Sequence, residues 1–379
     1  MAEASSGNNQ VGARNSTTRI GLTRRGERYL NAAAVAVFGL FGIGWTWSFL
    51  FARDGAARGD LVTSTTRSIT SSLTRSDAPT TAFLTEAALL AATRGARGLS
   101  GRLAAQTTLP GDTLHAELPA GAQIVYDAHG EVQGRATPPE APGVHPVAVA
   151  MGNAMRPVKG LTHITMLPFS AKQRGRIGLY FIGTFPSEQG ARGPRSAPPD
   201  RYANPRGFIQ VTLENRDTRV SEHFRLRDFL TKNQPNVWPK YLVLEMRLVD
   251  KLELVLADLR ERGVDTKGVV VMSGFRTPSY NSGGGNTAGR ANLSRHTYGD
   301  GADIYIDNDR DGNMDDLNKD GRIDIGDARF ILESVDRVER RYPELIGGAG
   351  VYIACCGHGP FIHIDTRGYR ARWTGSSGG

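Results

Sequence analysis

The chain has 379 residues, of which 39% are hydrophobic, and it carries a formal charge of +8 with a sequence pI of 9.6. This length suits two or three domains with a sizeable core. A basic exterior suits an anionic polymer or a membrane surface. The sequence shows no nucleic-acid-binding motif, so we expect no nucleic-acid partner. The two cysteines, Cys355 and Cys356, are adjacent and exclude a disulfide framework. They could form a vicinal disulfide or remain free thiols.

The N-terminal segment contains one long apolar run. Residues 1–28 form a polar tail, and residues 29–52 contain no charged side chain. As a helix, this run would be about 36 Å long, enough to span a bilayer. Arginines precede it, so the positive-inside rule keeps the tail in the cytoplasm. We predict a retained single-pass anchor in the inner (cytoplasmic) membrane, with the remainder in the periplasm or otherwise extracytoplasmic. A cleaved signal peptide is the alternative.

The amino-acid composition changes twice in the middle of the chain. Residues 53–117 are rich in Ser, Thr, Arg and Gly and predict a tether, with a short helix over residues 83–99. Residues 118–186 consist of short β-like runs broken by Gly and Pro, and residues 187–205 have the composition of a linker. The histidines of this part show no ligand spacing and are interpreted as solvated or loop residues: His129, His145 and His163.

Residues 206–379 predict the main domain. Two amphipathic helices are expected, over residues 241–262 with Gly263 as the C-cap and over residues 326–342. Short apolar runs between and after them predict a buried sheet. We therefore predict an α+β fold with a small, mostly antiparallel sheet packed by helices. The predicted strands cover residues 207–212, 268–272, 302–306, 350–354 and 360–364.

A histidine-rich pattern in this domain predicts a metal site. Residues 294–303 follow the pattern S-x-H-x-x-G-x-x-x-D and supply His296 and Asp303, and a later strand supplies His363. Two imidazoles and one carboxylate form a three-ligand zinc set that leaves the fourth tetrahedral position for water. Such a water loses its proton near neutral pH and can attack a carbonyl that the metal polarises.

Further short motifs accompany this pattern: V-S-E-H-F at residues 220–224, P-K-Y at 239–241, S-G-F-R-T-P at 273–278 and A-R-W at 371–373. Together they resemble the zinc D-alanyl-D-alanine peptidases, a superfamily that also contains lysostaphin-type enzymes and the hedgehog signalling domain. The resemblance covers roughly residues 205–375 and is greatest to the periplasmic branch that contains murein endopeptidase K. It implies that His296, Asp303 and His363 are the zinc ligands, and that Arg276 binds or polarises the substrate.

One departure concerns the proton-transfer residue. Many members of the superfamily place a catalytic Glu three residues before the last His ligand, where this chain has Pro360. The nearest substitutes are His358, Asp365 and Asp300. His358 is favoured because imidazole titrates near neutral pH. Asp365 follows His363 by two residues on a strand and shares its face, so it could move the proton or instead orient the ligand.

The acidic insertion at residues 307–327 predicts calcium binding. The segment from Asp316 to Asp327 has acidic or amide groups at positions 1, 3, 5 and 9, Gly at 6 and an acid at 12, as in a calcium loop. A second, overlapping loop begins at Asp307, but its position 12 is Asn318, so this loop is incomplete. The residues assigned to calcium are Asp307, Asp309, Asp311, Asn313, Asp315, Asp316, Asn318, Asp320, Arg322, Asp324 and Asp327.

These features predict a membrane-anchored zinc metallopeptidase that hydrolyses amide bonds in peptidoglycan stem peptides or crosslinks during cell-wall remodelling. The resemblance admits D,D- or L,D-specificity and either endopeptidase or carboxypeptidase action. The expected partners are peptidoglycan and the membrane. The alternative is a non-catalytic module that keeps zinc as structure and binds cell-wall peptide, and the absent Glu favours it.

Overall fold

The computed structural model describes residues 104–112, 121–126, 137–152, 154–283, 290–354 and 358–375. The predicted tail, the anchor, most of the tether and the cysteine pair lie outside these residues. Within the described ranges, no helix is both long and apolar enough to cross a membrane. The fold there is mixed α+β with small sheets and few helices, as predicted.

A four-stranded sheet forms the first part of the described chain. Its strands are β1 (Ala104–Thr108), β2 (Ala122–Tyr126), β3 (Gly143–Met151) and β4 (Ala154–Thr165), in the order β1-β4-β3-β2. Strands β2, β3 and β4 pair antiparallel, and β1 lies parallel to β4. A small apolar cluster of its own supports this sheet: Ile124, Tyr126, Val147, Val149, Val158 and Leu161.

Two histidines of this sheet correct the sequence interpretation. His145 and His163 lie on β3 and β4 and are buried, with 8% and 0% of their surface exposed, so their interpretation as solvated or loop residues is wrong. Pairing places them directly opposite each other, where they share one buried face. The third histidine, His129, lies outside the described residues.

Short strands then connect this sheet to the main core. These are β5 (Leu167–Pro168), β6 (Arg176–Ile177), β7 (Tyr180–Phe181), β8 (Gly207–Val211) and β9 (Lys240–Leu242). The apolar run at residues 177–182 forms a tight β6–β7 hairpin, because Gly178 at φ 56° reverses the chain. Ile182 and Phe185 are fully buried in the same core as Phe208, although the sequence placed them in a separate β-rich region.

The main sheet has five strands: β10 (Val269–Ser273), β11 (Gly301–Ile306), β12 (Gly348–Tyr352), β13 (Phe361–Asp365) and β14 (Ala371–Gly375). Their order is β10-β11-β13-β12-β14, and all neighbours are antiparallel except β12 and β14. This agrees with the predicted, mostly antiparallel sheet.

Two long helices cover one face of this sheet. Helix α1 spans Met246–Glu261 and helix α3 spans Ile325–Arg341, while the short α2 spans Pro278–Gly283. Helix α3 packs on β12 and β13, and α1 packs on α3. Side chains alternate between the two faces of a strand, and those facing the helices are fully buried and apolar: Ile304, Ile362, Ile364 and Ala349.

Helix α1 begins later than the sequence predicted. Residues 241 and 242 belong to β9, where Leu242 pairs with Ile209 of β8. The apolar residues before Met246 therefore belong to a strand that pairs with β8. The helical spacing of apolar residues does not distinguish them from the helix that follows. The predicted C-terminal end is confirmed, because Gly263 adopts φ 84° and the Val264 amide donates to Leu259 O.

Candidate metal centre

The open face of the main sheet carries a row of facing residues from adjacent strands. Pairing sets Ser273 opposite Asp303, Asp303 opposite His363, and His363 opposite Gly350, with Trp373 next in the row. Directly paired residues point to the same face of a sheet. The row therefore collects two of the predicted ligands on the face opposite the helices.

The three predicted ligands meet at one point. His296 comes from the single 3-10 turn Arg295–Tyr298 just before β11, and its Nε2 lies 3.2 Å from Asp303 Oδ1 and 3.1 Å from His363 Nδ1. His363 Nδ1 lies 2.8 Å from Asp303 Oδ1. The three residues are 3%, 4% and 6% exposed. They form a group that could hold a metal ion, as the sequence predicted.

The spacing of these atoms fits a tetrahedral ion. Zinc binds imidazole nitrogen at about 2.0–2.1 Å, so two ligand atoms of a regular tetrahedron lie about 3.3 Å apart. The observed separations of 2.8–3.2 Å are only slightly shorter. Small outward shifts of the side chains would accommodate the ion, and three protein ligands leave one tetrahedral position for water or substrate.

Hydrogen bonds behind the ligands fix both imidazole tautomers. His296 Nδ1 lies 2.7 Å from Gly274 O, and a carbonyl can only accept, so Nδ1 carries the proton and Nε2 keeps its lone pair. His363 Nε2 lies 3.0 Å from Asp365 Oδ2 and donates to it, so in the neutral imidazole the lone pair is on Nδ1. Two lone pairs and a carboxylate oxygen thus converge, an arrangement that a cation stabilises.

Asp365 is committed to orienting His363. It is fully buried, and its carboxylate accepts from the Gly348 amide at 2.7 Å, from the Arg367 amide and guanidinium, and from His363. Burial alone would raise the pKa of Asp365, but the hydrogen bonds from His363 and Arg367 hold it well below its usual range. Of the two roles that the sequence left open, this geometry favours the orienting one.

Arg276 lies beside the metal group and fixes the third ligand. Its Nη2 donates to Asp303 Oδ2 at 2.7 Å and its Nε donates to Ser273 Oγ at 2.8 Å. The Arg276 side chain is 16% exposed. Burial alone would raise the pKa of Asp303, but the Arg276 guanidinium favours the ionised carboxylate, and the pKa lies well below its usual range. Arg276 therefore keeps Asp303 ionised with Oδ1 turned to the metal position.

The other two candidates for proton transfer make different contacts. Asp300 is 1% exposed and pairs with the buried Arg295 at 2.8 and 2.6 Å, so it is part of a closed ion pair. His358 donates from Nδ1 to Gly359 O at 2.8 Å, and its ring centre lies 5.1 Å from that of Phe361. Phe361 shares the open face with His363, which places His358 toward one end of this face.

An aromatic pair beside His363 was not predicted as part of the site. The Trp373 ring centre lies 5.4 Å from that of His363, and its Nε1 donates to Tyr352 Oη at 2.9 Å. Gly350 makes room for the indole, since a Cβ there would lie 2.2 Å from it. Burial raises the pKa of Tyr352, so the phenol keeps its proton. The A-R-W motif pointed to Trp373, but no pattern singled out Tyr352.

A buried lysine behind the site was also missed. Lys251 on α1 is 0% exposed, and its Nζ donates to Glu339 Oε1 and to Asp365 O, both at 2.7 Å. Glu339 Oε2 accepts from Arg372 at 2.6 Å. Helices α1 and α3 are thus tied to the strand that carries His363. The available signal was a charged residue between Leu248 and Leu252 on an apolar stripe.

The acidic insertion forms two turns of the same conformation. Asp307 accepts from the amides of Asp311 and Gly312 at 3.1 and 3.0 Å. Asp316 accepts from the amides of Asp320 and Gly321 at 3.2 and 2.8 Å. The residue at position 4 has a positive φ in both turns, 65° at Arg310 and 62° at Lys319, and both glycines at position 6 share this feature.

The two loops differ in how closely their acidic side chains approach one another. Among the described residues, the carboxylates that come within 4.8 Å of one another belong to the first loop: Asp307, Asp309 and Asp315. In the loop that looked complete, Asp327 is fully buried and accepts from the amides of Leu317 and Asp324, at 2.8 and 2.9 Å. Asp324 and Asp327 form a capping box at the start of α3. The acid at position 12, Asp327, is therefore hydrogen-bonded to main-chain amides at the start of α3.

No protein-family model, no curated protein and no solved structure matches this chain.

Proposed function

We propose that the chain is a membrane-anchored zinc metallopeptidase that hydrolyses amide bonds of peptidoglycan stem peptides or crosslinks. The observation that carries the proposal is the convergence of His296 Nε2, Asp303 Oδ1 and His363 Nδ1 within 3.2 Å of one another. A set of two imidazoles and one carboxylate is typical of catalytic zinc. The zinc D-alanyl-D-alanine peptidase-like architecture suggested by the motifs supports the substrate class.

The ion would supply a Lewis acid and a bound water that ionises near neutral pH. The chain's own residues would bind the substrate and transfer the proton. Arg276, anchored by Ser273 and Asp303, would hold a substrate carboxylate or a developing oxyanion. Tyr352 accepts the Trp373 N–H and so keeps its own phenolic proton for donation to the same oxyanion. His358 is the proposed proton carrier, with Asp365 retained as the orienting partner of His363.

The insertion would bind calcium as an accessory ion. Asp303 lies four residues before Asp307, and β11 joins them. Calcium at the first loop would neutralise Asp307, Asp309 and Asp315 and fix the end of this strand. The same ion would therefore support the position of a zinc ligand through a short covalent link.

The proposed location is the outer face of the inner membrane, with residues 29–52 as the anchor and a cytoplasmic N-terminus. A protease added to spheroplasts should release the C-terminal domain and spare the tail. Protection of that domain with cleavage of the tail would reverse the proposed topology.

The direct test is digestion of purified sacculi by the full-length protein in detergent, with the fragments identified by mass. We expect new peptide termini, loss of hydrolysis in His296→Ala, and normal hydrolysis in His223→Ala. His223 is a suitable control because it pairs with Glu253 at 2.7 Å and lies outside the candidate metal groups found among the described residues. Full activity in His296→Ala would exclude the site.

The alternative function is a non-catalytic module that binds cell-wall peptide. Pro360 in place of the family Glu and the fully bonded state of Asp365 favour it. Stoichiometric zinc together with retention on sacculi and no released fragments would support this alternative over the peptidase.

A further inference from the structure

A cavity of about 520 Å³ lies between the edge strand β10 and the single 3-10 turn Leu226–Phe229. Gly274 and Arg276 line it, and the same residues contact the metal group through Gly274 O and Arg276 Nη2. A ligand in this cavity would therefore lie immediately beside the metal centre. We call it the basic cavity.

The charge of its lining is strongly positive. Arg227, Lys232, Arg276 and Arg290 line the basic cavity, against the single acid Asp228. Asp228 is turned to the main chain, where its Oδ2 accepts from the Arg225 amide. Its Oδ1 lies 3.8 Å from Arg227 Nε, so Asp228 offsets one of the four cations and leaves an excess of positive charge in the lining. Such a lining favours an anionic ligand.

Three of the four cations are held in place by neighbours. Arg276 is bound to Asp303, Arg227 pairs with Asp217, and Arg290 donates to Tyr280 O at 2.7 Å while lying over the Tyr280 ring. Lys232 is exposed, and the ion pairs of the described residues do not include it. Anchored guanidiniums lose little freedom when they bind an anion, and Lys232 can approach it from solvent.

We infer that the basic cavity binds a carboxylate of a peptide ligand and so selects peptides with a free acidic side chain over their amidated counterparts. This inference deepens the proposed peptidase function and rests on it for the identity of the peptide. Strand β10 is the edge strand of the main sheet, and its residues Val271, Met272 and Ser273 line the same wall. An extended peptide could lie there while its acidic group enters the basic cavity.

The test is a binding measurement that does not require hydrolysis. Calorimetry of the full-length protein in detergent would compare an N-acetylated tripeptide containing one Glu with the same tripeptide containing Gln. We expect the Glu peptide to bind roughly tenfold more tightly, the size expected for one hydrogen bond to a charged group. Lys232→Gln and Arg290→Gln should each remove most of this preference.

Lys267→Gln is the matched control, since Lys267 is a solvent-exposed lysine just before β10 that does not line the basic cavity. It removes the same charge and should leave the preference intact. Equal binding of the two peptides, or an equal loss in Lys267→Gln, would overturn the inference. Displacement of the Glu peptide by inorganic phosphate at lower concentration than by acetate would also overturn it, in favour of a phosphate ligand.

The two proposals fail separately. A Glu preference without fragments from sacculi would leave the carboxylate site standing and contradict the peptidase. Fragments from sacculi without a Glu preference would support the peptidase and contradict the carboxylate site.

Discussion

Asp365 Oδ2 accepts the Nε2 proton of His363 at 3.0 Å, and this bond determines which nitrogen of His363 faces the metal position. The same carboxylate receives the Gly348 amide and the Arg367 side chain. Because all of these donors converge on one buried acid, the imidazole is held in a single orientation. Partners of this kind typically contribute tenfold to a hundredfold to metal affinity.

We therefore expect Asp365→Asn to weaken zinc binding by about tenfold to a hundredfold. An amide cannot accept all of these donors, so His363 should lose its fixed orientation. Zinc affinity would be measured by competition with a chromophoric chelator. Asp258→Asn is the control, since Asp258 of helix α1 pairs with Arg337 of helix α3 at 3.0 Å, apart from the contacts that join Glu339, Lys251 and Asp365. Unchanged zinc affinity with abolished hydrolysis would instead assign Asp365 the proton-transfer role.

The buried cation behind the site gives a second prediction. Lys251→Met should destabilise the protein by about 3–5 kcal/mol, because it leaves Glu339 buried with one partner fewer. The double variant Lys251→Met/Glu339→Gln should recover part of this loss. Chemical denaturation would measure both, with the exposed Lys267→Met as control. A double variant no more stable than Lys251→Met would show that packing, rather than the ion pair, is responsible.

The ligand set could be predicted from sequence because its members have a characteristic spacing and chemistry. His296 and Asp303 are seven residues apart, and His363 follows on a strand. Their supporting contacts could not be predicted in the same way. Gly274 O, Lys251 and Trp373 reach the ligands only through strand register and helix packing, which depend on pairing between distant segments.

Pairing between distant segments also explains why the observed fold differs from the predicted one. The apolar stripe on α1 predicted a helix, but the residues before Met246 are apolar because they pair with β8. The β6–β7 hairpin depends on one glycine turn within a run that looks like a single strand. In the insertion, the sequence shows the spacing of the acids. It does not show that Asp327 caps α3, because that depends on where the helix begins.

Calcium should stabilise the folded protein through the first loop. Binding to the folded state alone contributes about 2.7 kcal/mol at a hundredfold excess over the dissociation constant. We expect calcium to raise the melting temperature at fixed zinc, as measured by calorimetry, and Asp309→Asn to remove most of this rise. Zinc affinity should fall as well, because Asp307 directly follows the strand that carries Asp303.

Asp320→Ala separates the two loops. Asp320 belongs to the second turn and lies outside the carboxylate group of Asp307, Asp309 and Asp315. Calcium bound in the second loop would make this change erase most of the calcium effect. Because the clustered carboxylates belong to the first loop, we expect most of the effect to remain. A melting temperature that calcium does not change in the wild-type protein would reduce the insertion to a solvated loop.

His163 provides a pH prediction that is independent of the metal. Its ring is fully buried, with its centre 4.7 Å from that of Tyr126 and 6.3 Å from that of His145, and its Nε2 lies 3.2 Å from Thr108 Oγ1. Burial, and to a lesser extent His145, lower the pKa of His163 from 6.5 to about 4. The folded protein therefore holds this imidazole neutral over a range in which the unfolded chain binds a proton.

The sign of the pH effect follows from this difference in pKa. Above pH 6.5 both states are neutral at His163 and its contribution is fully present; as the pH falls from 6.5 toward 4, the unfolded chain gains a proton and stability is lost. The contribution of His163 to the free energy of unfolding is at most about 3 kcal/mol, and it changes by up to about 1.4 kcal/mol per pH unit.

His163→Gln should reduce the slope of unfolding free energy against pH in this window, whatever its effect on absolute stability. The candidate metal ligands are the same in both proteins, so the difference in slope isolates His163. Identical slopes for wild type and His163→Gln would show that His163 is not kept neutral by the fold.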